Sequence, residues 1–125
     1  MNKKIFLIIV ILLLLVGCGK KEETKEIESG KITCKQKKEL MARDEKPILI
    51  DVRTKEEFDE KHLDEAINIP YETVVDGVGA MENIGFDTPI IVYCKSGNRS
   101  GQAYNSLKMA GYKNVYDLGA MSNCS

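Results

Sequence analysis

The sequence predicts an α/β domain: a parallel sheet of about five strands with helices on both faces. Three observations carry this reading. "PILIDV" (Pro47–Val52) and "PIIVYC" (Pro89–Cys94) are nearly unbroken apolar runs, the pattern of strands covered on both sides in a parallel sheet. Two capping boxes, Thr33 with Gln36 and Thr54 with Glu57, announce helices between the candidate strands. Strand and helix signals then alternate to the end of the chain, which calls for crossover connections.

Each element has its own reason. A short strand at Lys31–Ile32 precedes the first capping box, whose helix runs to about Ala42. "PILIDV" is the second strand, and the second capping box opens a helix to about Lys61. "AINIP" (Ala66–Pro70) is a brief strand ended by proline, followed by one or two helical turns from Tyr71 to about Val75. The Gly-rich stretch "DGVGAMENIGFDT" reads as loop. After "PIIVYC", Ala103, Leu107 and Ala110 share one helical face, giving a helix from about Arg99 that Gly111 stops. "NVYDL" (Asn114–Leu118) is the last strand.

The N-terminus reads as an address. Lys3 and Lys4 precede twelve apolar residues, Ile5 to Val16, and then Gly17-Cys18. A helix needs roughly 20 apolar residues to span a bilayer, so this run suits the core of a secretory signal better. Its ending, "LVGC", resembles the lipobox of bacterial lipoproteins, which implies cleavage before Cys18 and acyl chains on that cysteine. Residues 1–17 are then the signal, 18–30 a lipidated cysteine with a charged tether, and 31–125 the domain. The tether, "GKKEETKEIESG", carries Ile27 as its one large apolar residue. Cleavage leaves 16 basic residues against 19 acidic, a formal charge of −3. Lipid would hold such a protein outside the cytoplasm, at the membrane.

Composition excludes several classes. The net charge of −1 and pI of about 5.9 leave no electrostatic footprint for nucleic acid. His62 is the lone histidine, and the cysteines (Cys18, Cys34, Cys94 and Cys124) form no C-x-x-C pair, so zinc ribbons and thioredoxin-type motifs recede. No metal or cofactor is expected.

The chemistry concentrates at "CKSGNRS", Cys94 to Ser100. Ligands of an open α/β sheet bind beyond the carboxyl ends of the strands, and Cys94 ends a strand there. The residues after it curl into a helix whose N-terminal N–H groups and macrodipole favour an anion. Gly97 and Asn98 tolerate positive φ, so successive amides can turn inward as a nest. A thiol over such a nest loses its proton readily, and Lys95 and Arg99 add positive charge. The pattern suits a nucleophilic sulfur; the plainer reading is an inert cysteine before an ordinary strand-to-helix turn.

"ILIDVRTKEEFDEKHLDEAINIP", "IIVYCKSGNRS" and "GYKNVYDLGA" together resemble a single-domain rhodanese, over nearly everything from Ile32 to Met121. The resemblance implies a five-stranded parallel sheet with Cys94 as catalytic cysteine. It implies a persulfide on Cys94, loaded by a small anionic donor such as thiosulfate and passed to cyanide or a thiol acceptor. The amides of Lys95, Ser96, Gly97, Asn98, Arg99 and Ser100 would hold the persulfide. Cysteine phosphatases and arsenate reductases build a similar cradle, but with one residue more between cysteine and arginine, so the tighter loop here favours a single sulfur atom. A non-catalytic sulfur- or anion-binding module, or a thiol-redox partner in the cell envelope, is the alternative, ahead of the phosphatase. Two departures stand out: Lys61-His62-Leu63-Asp64-Glu65-Ala66 replaces the family's Gly-His-Ile-Pro-Gly-Ala, and Gly119-Ala120 is followed by no Trp.

Supporting residues have quieter readings. Asp51 and Arg53 end their strand on the loop's edge and are expected to order the strand-to-helix turn by hydrogen bonds more than to attract an anion. His62 is expected to be a structural hydrogen-bonding residue, and Tyr93 and Tyr104 to pack. In the family's sheet order the first and last strands are neighbours, so Cys34 and Cys124 leave the sheet at the edge that carries Cys94. A disulfide between them, a resolving role toward Cys94, and two independent cysteines all stay open. No protein partner is legible.

Overall fold

The computed structural model describes residues 26–76, 81 and 83–125. The signal, Cys18 and the first half of the tether lie outside these residues, as does the centre of the Gly-rich stretch.

Strands β1 (Gly30–Lys31), β2 (Ile48–Asp51), β3 (Ile67–Asn68), β4 (Ile90–Cys94) and β5 (Val115–Ala120) alternate with helices α1 (Cys34–Met41), α2 (Lys55–Glu60), α3 (Tyr71–Asp76) and α4 (Asn98–Ala110), and a 3₁₀ turn (Met121–Cys124) follows β5. All pairings are parallel, in the order β1-β5-β4-β2-β3, the five-stranded α/β sheet expected from the sequence. β4 lies in the middle, and all five of its residues are buried.

Its alternate side chains enter two different cores. Val92 and Cys94 pack with Ile50, Val52, Ala103 and Leu107 under α3 and α4. Ile91 and Tyr93 pack with Leu49, Tyr116 and Leu40 on the face carrying α1 and α2. Burying a side chain such as Leu40 or Leu107 contributes about 1.5–3 kcal/mol, so a helix is held on each face by a few such contacts.

Both capping boxes form as expected: Thr33 accepts from the Gln36 amide and Thr54 from the Glu57 amide, with each N3 side chain reaching back. Gly111 ends α4 at a φ of 109°, where a side chain would be strained.

Three features of the structure were not settled by the sequence. Ile27 is 7% exposed and belongs to the second core, and Ser29 donates from its hydroxyl to the Lys113 carbonyl. Packed chain therefore reaches back past residue 30, where composition drew the boundary, because one apolar side chain suffices once the edge of a sheet receives it. In the altered turn, Glu65 adopts φ 68°, at the position where the resembled family carries its second glycine. An L side chain there costs roughly 1–2 kcal/mol, and an exposed ion pair between Glu65 and Lys46 offsets little of it.

The third concerns Cys34 and Cys124, which form a disulfide with Cα atoms 5.3 Å apart. Parallel pairing of β1 with β5 brings the start of α1 beside the end of the chain. The bridge spans 90 positions, and a cross-link of that reach removes about 3–5 kcal/mol of chain entropy from the unfolded state. Replacing both cysteines by alanine is expected to lower unfolding free energy by about 2–4 kcal/mol, read from the denaturant midpoint. A loss below about 1 kcal/mol would show that the bridge does not constrain the unfolded chain.

Candidate active site

β4 delivers Cys94 to the carboxyl edge of the sheet, and the chain must leave the strand and start α4 within a few residues. Gly97 makes this possible: as N-cap it takes φ 98° and ψ −14°, open to glycine and strained for any L residue. The backbone angle alone calls for glycine, since a Cβ there would meet the Gly119 Cα at an ordinary contact distance of 3.8 Å. The turn aims the Gly97 amide at the thiol, and Gly97 N–H donates to Cys94 Sγ at 2.9 Å. Ser100 completes the enclosure. Its Oγ lies 3.6 Å from Cys94 Sγ and donates to the Gly97 carbonyl at 3.1 Å.

Cys94 and Ser100 are both 0% exposed. One side of the thiol meets the apolar core and the other meets the first turn of α4, so the sulfur sits in low dielectric against the positive end of a 13-residue helix. Lys95, Ser96 and Asn98 are exposed on the loop's outer surface. A cleft of about 410 Å³ opens beside the loop, lined by Ser96, Gly97, Lys31, Asp117 and Asn123. Asp117 accepts from the Gly119 amide at 2.9 Å, shaping the irregular end of β5 next to the loop.

Arg99 is not the free charge the sequence suggested. Its guanidinium is turned away onto Glu57, with Nη1 to Oε1 at 2.7 Å and Nη2 to Oε2 at 3.1 Å. That bidentate bond holds the Glu57 carboxyl down at about pH 2, assisted by Thr54. The folded value lies below the ordinary 4.5, so this contribution is complete above the ordinary value and lost as pH falls through 2. Of the two loop cations, Lys95 is exposed, while Arg99 is partly buried and paired. Nothing in the sequence pointed to this, because Glu57 was already accounted for by its capping box.

Asp51 and Arg53 form a buried ion pair, with Arg53 Nη2 2.6 Å from Asp51 Oδ2 and Nε also donating to both carboxylate oxygens. The hydrogen bond to Asp51 raises the Arg53 pKa above its ordinary value. Nη2 donates in addition to the Lys61 carbonyl at 2.6 Å, tying the end of β2 to the end of α2. Asp51 is in register with Tyr93, so its side chain leaves the sheet on the face opposite Cys94. The pair thus orders the turn, as expected, and does not line the loop. Tyr93 packs in the second core, and its hydroxyl accepts from the Leu63 amide at 3.0 Å, a role its apolar setting concealed. Burial pushes that hydroxyl's pKa up. His62 donates from its ring to the Phe58 carbonyl at 2.8 Å and stacks on the Phe58 ring.

A parallel α/β sheet with one cysteine at its carboxyl edge, enclosed by the first turn of the following helix, defines a class of cysteine-loop proteins. The Rhodanese-like domain model matches residues 33–122, and the chain belongs to that family. Thiosulfate sulfurtransferase PspE of Escherichia coli is 36% identical over 74 residues, 59% of this chain and 70% of that protein. A probable molybdopterin-synthase adenylyltransferase of Porphyra purpurea is 35% identical over 85 residues, 68% of this chain but 22% of that protein. This chain therefore spans about a fifth of that longer relative. Among solved structures, a rhodanese with anions from E. coli superposes with a TM-score of 0.56 at 34% identity, covering 62% of this chain and 89% of that one. The human single-domain sulfurtransferase TSTD1, at 22% identity, shares the fold with a TM-score of 0.67 over 74% of this chain and 92% of its own.

The geometry separates a structural role from a chemical one. Asp51→Asn leaves the Arg53 guanidinium buried without its counter-charge and is expected to cost about 3–5 kcal/mol of stability in denaturant unfolding. The alkylation rate of Cys94 in the folded variant should stay within about twofold of the parent, since the pair faces away from the thiol.

Proposed function

We propose that the protein is a sulfurtransferase working through a Cys94 persulfide. The observation that carries this is the Gly97 N–H···Sγ bond of 2.9 Å at the floor of a loop only four residues long between Cys94 and Arg99. An amide donor and a helix N-terminus stabilise the thiolate, which is the nucleophile. In the loading step the thiolate attacks the outer sulfur of thiosulfate; the S–S bond breaks and sulfite leaves with the electron pair. In the unloading step an acceptor thiolate, or cyanide, attacks the outer sulfur of the persulfide. The Cys94 S–S bond breaks and the Cys94 thiolate returns. Both steps are displacements at sulfur with no net redox change, and the sulfur is carried covalently between them. Family membership supports the reading, since relatives include a thiosulfate sulfurtransferase.

Incubation with thiosulfate is expected to add one sulfur atom, about 32 Da, to the peptide bearing Cys94. Cyanide should remove it as thiocyanate, and Cys94→Ser should show neither event. Equal thiocyanate production by parent and variant would overturn the assignment. An unmodified Cys94 would leave a sulfur- or anion-binding module instead.

On the same reading the domain works outside the cytoplasm, held at the membrane by acyl chains on Cys18. The apolar run ending in "LVGC" supports this, as does the Cys34–Cys124 disulfide, a bond that persists in oxidising compartments. Fatty-acid analogue labelling in a bacterial host is expected for the parent and absent from Cys18→Ala; labelling that survives in the variant would refute the anchor.

A further inference from the structure

We propose that Glu57 is a specificity-determining residue that weakens the hold of the Cys94 loop on doubly charged oxyanions, thiosulfate included, relative to singly charged sulfur such as an alkyl persulfide. The inference rests on the reading of Cys94 as a sulfur acceptor.

Two guanidinium groups stand near the loop, and the fold cancels both. Arg53 has its charge matched by Asp51 and also donates to the Lys61 carbonyl. Arg99 projects from the first turn of α4, within electrostatic reach of Cys94, yet its fork is filled by both oxygens of Glu57. Glu57 cannot swing away cheaply. It comes from the other side of the sheet on α2, and the Thr54 amide and hydroxyl fix it through the capping box at 3.3 and 3.2 Å. What remains for an incoming anion is backbone amide, helix macrodipole, the exposed Lys95 and, across the neighbouring cleft, Lys31. That set matches one negative charge on a polarisable sulfur. A tetrahedral dianion is best held by a free planar fork, which Glu57 occupies. Arg99 is about a quarter exposed and Glu57 slightly more, so solvent and dissolved anions reach the pair.

Glu57→Gln removes the charge while keeping the cap, because glutamine fills the same N3 position in α1, where Gln36 bonds back to Thr33. The probe is sodium sulfate, read as protection of Cys94 from iodoacetamide at constant ionic strength. Glu57→Gln should need on the order of tenfold less sulfate for half protection than the parent. The KM for thiosulfate should fall by a similar factor, while kcat/KM for an alkyl persulfide stays within about twofold. Glu57→Ala, which also removes the hydrogen bond, should move sulfate protection in the same direction. The Glu57→Gln, Arg99→Gln double variant should lose the gain. Equal sulfate protection in parent and Glu57→Gln, or a gain that survives in the double variant, would overturn the proposal. Sulfate protection needs no turnover, so it decides the role of Glu57 even if no donor forms a persulfide on Cys94.

Discussion

Everything in this molecule is arranged around the complete burial of β4. A strand covered on both faces must satisfy its backbone by two parallel neighbours, here β2 and β5, and must fill two cores with alternating side chains. Cys94 is the last residue to obey that constraint. Its sulfur leaves the strand on the α4 face, where the helix that caps the core also presents its N-terminal amides. Burial and polarity meet at one atom for this reason. The same strand order that packs the core puts a thiol against the positive end of a helix.

Around that atom the protein spends its charges on structure. Asp51 pairs with Arg53 within the β2–α2 turn, and Glu57 of α2 pairs with Arg99 in the first turn of α4. A buried pair such as Asp51–Arg53 costs much to desolvate, so its value lies in fixing one geometry: the guanidinium reaches the Lys61 carbonyl and thereby sets the exit of α2. The capping box at the start of α2 holds Glu57, and Glu57 holds Arg99. The electrostatics of the loop are in this way a consequence of how the β2–α2 turn is tied.

The far edge of the sheet is closed by different means. β1 has two residues and pairs with β5 at only two positions, so this edge supplies little ladder. The Cys34–Cys124 bridge and the packing of Ile27 take over what a longer edge strand would do. Asn123, beside the bridge, donates to the Leu118 carbonyl at 3.0 Å and forms part of the cleft next to Gly97. The segment after β5 is thus both edge cover and wall of the cleft beside the Cys94 loop, in a chain that has no tryptophan to pack there.

The sequence by itself determined whatever is encoded within one element or one turn. Buried strands show as apolar runs, both helix starts as capping boxes, the stop of α4 as Gly111, and the loop as Cys94 with its four-residue spacing to Arg99. Each of these signals is written in residues a few positions apart, where periodicity and hydrogen-bond reach operate locally. Tertiary structure alone decided the partners that lie far apart along the chain: Glu57 with Arg99 across 42 positions, the Tyr93 hydroxyl with the Leu63 amide across 30, and Cys34 with Cys124 across 90. It also decided that Ile27 is core and that Glu65 bears a left-handed backbone. In those cases the residue type was already satisfied by a local explanation. Its second contact exists only because parallel crossovers bring distant turns to the same edge of the sheet.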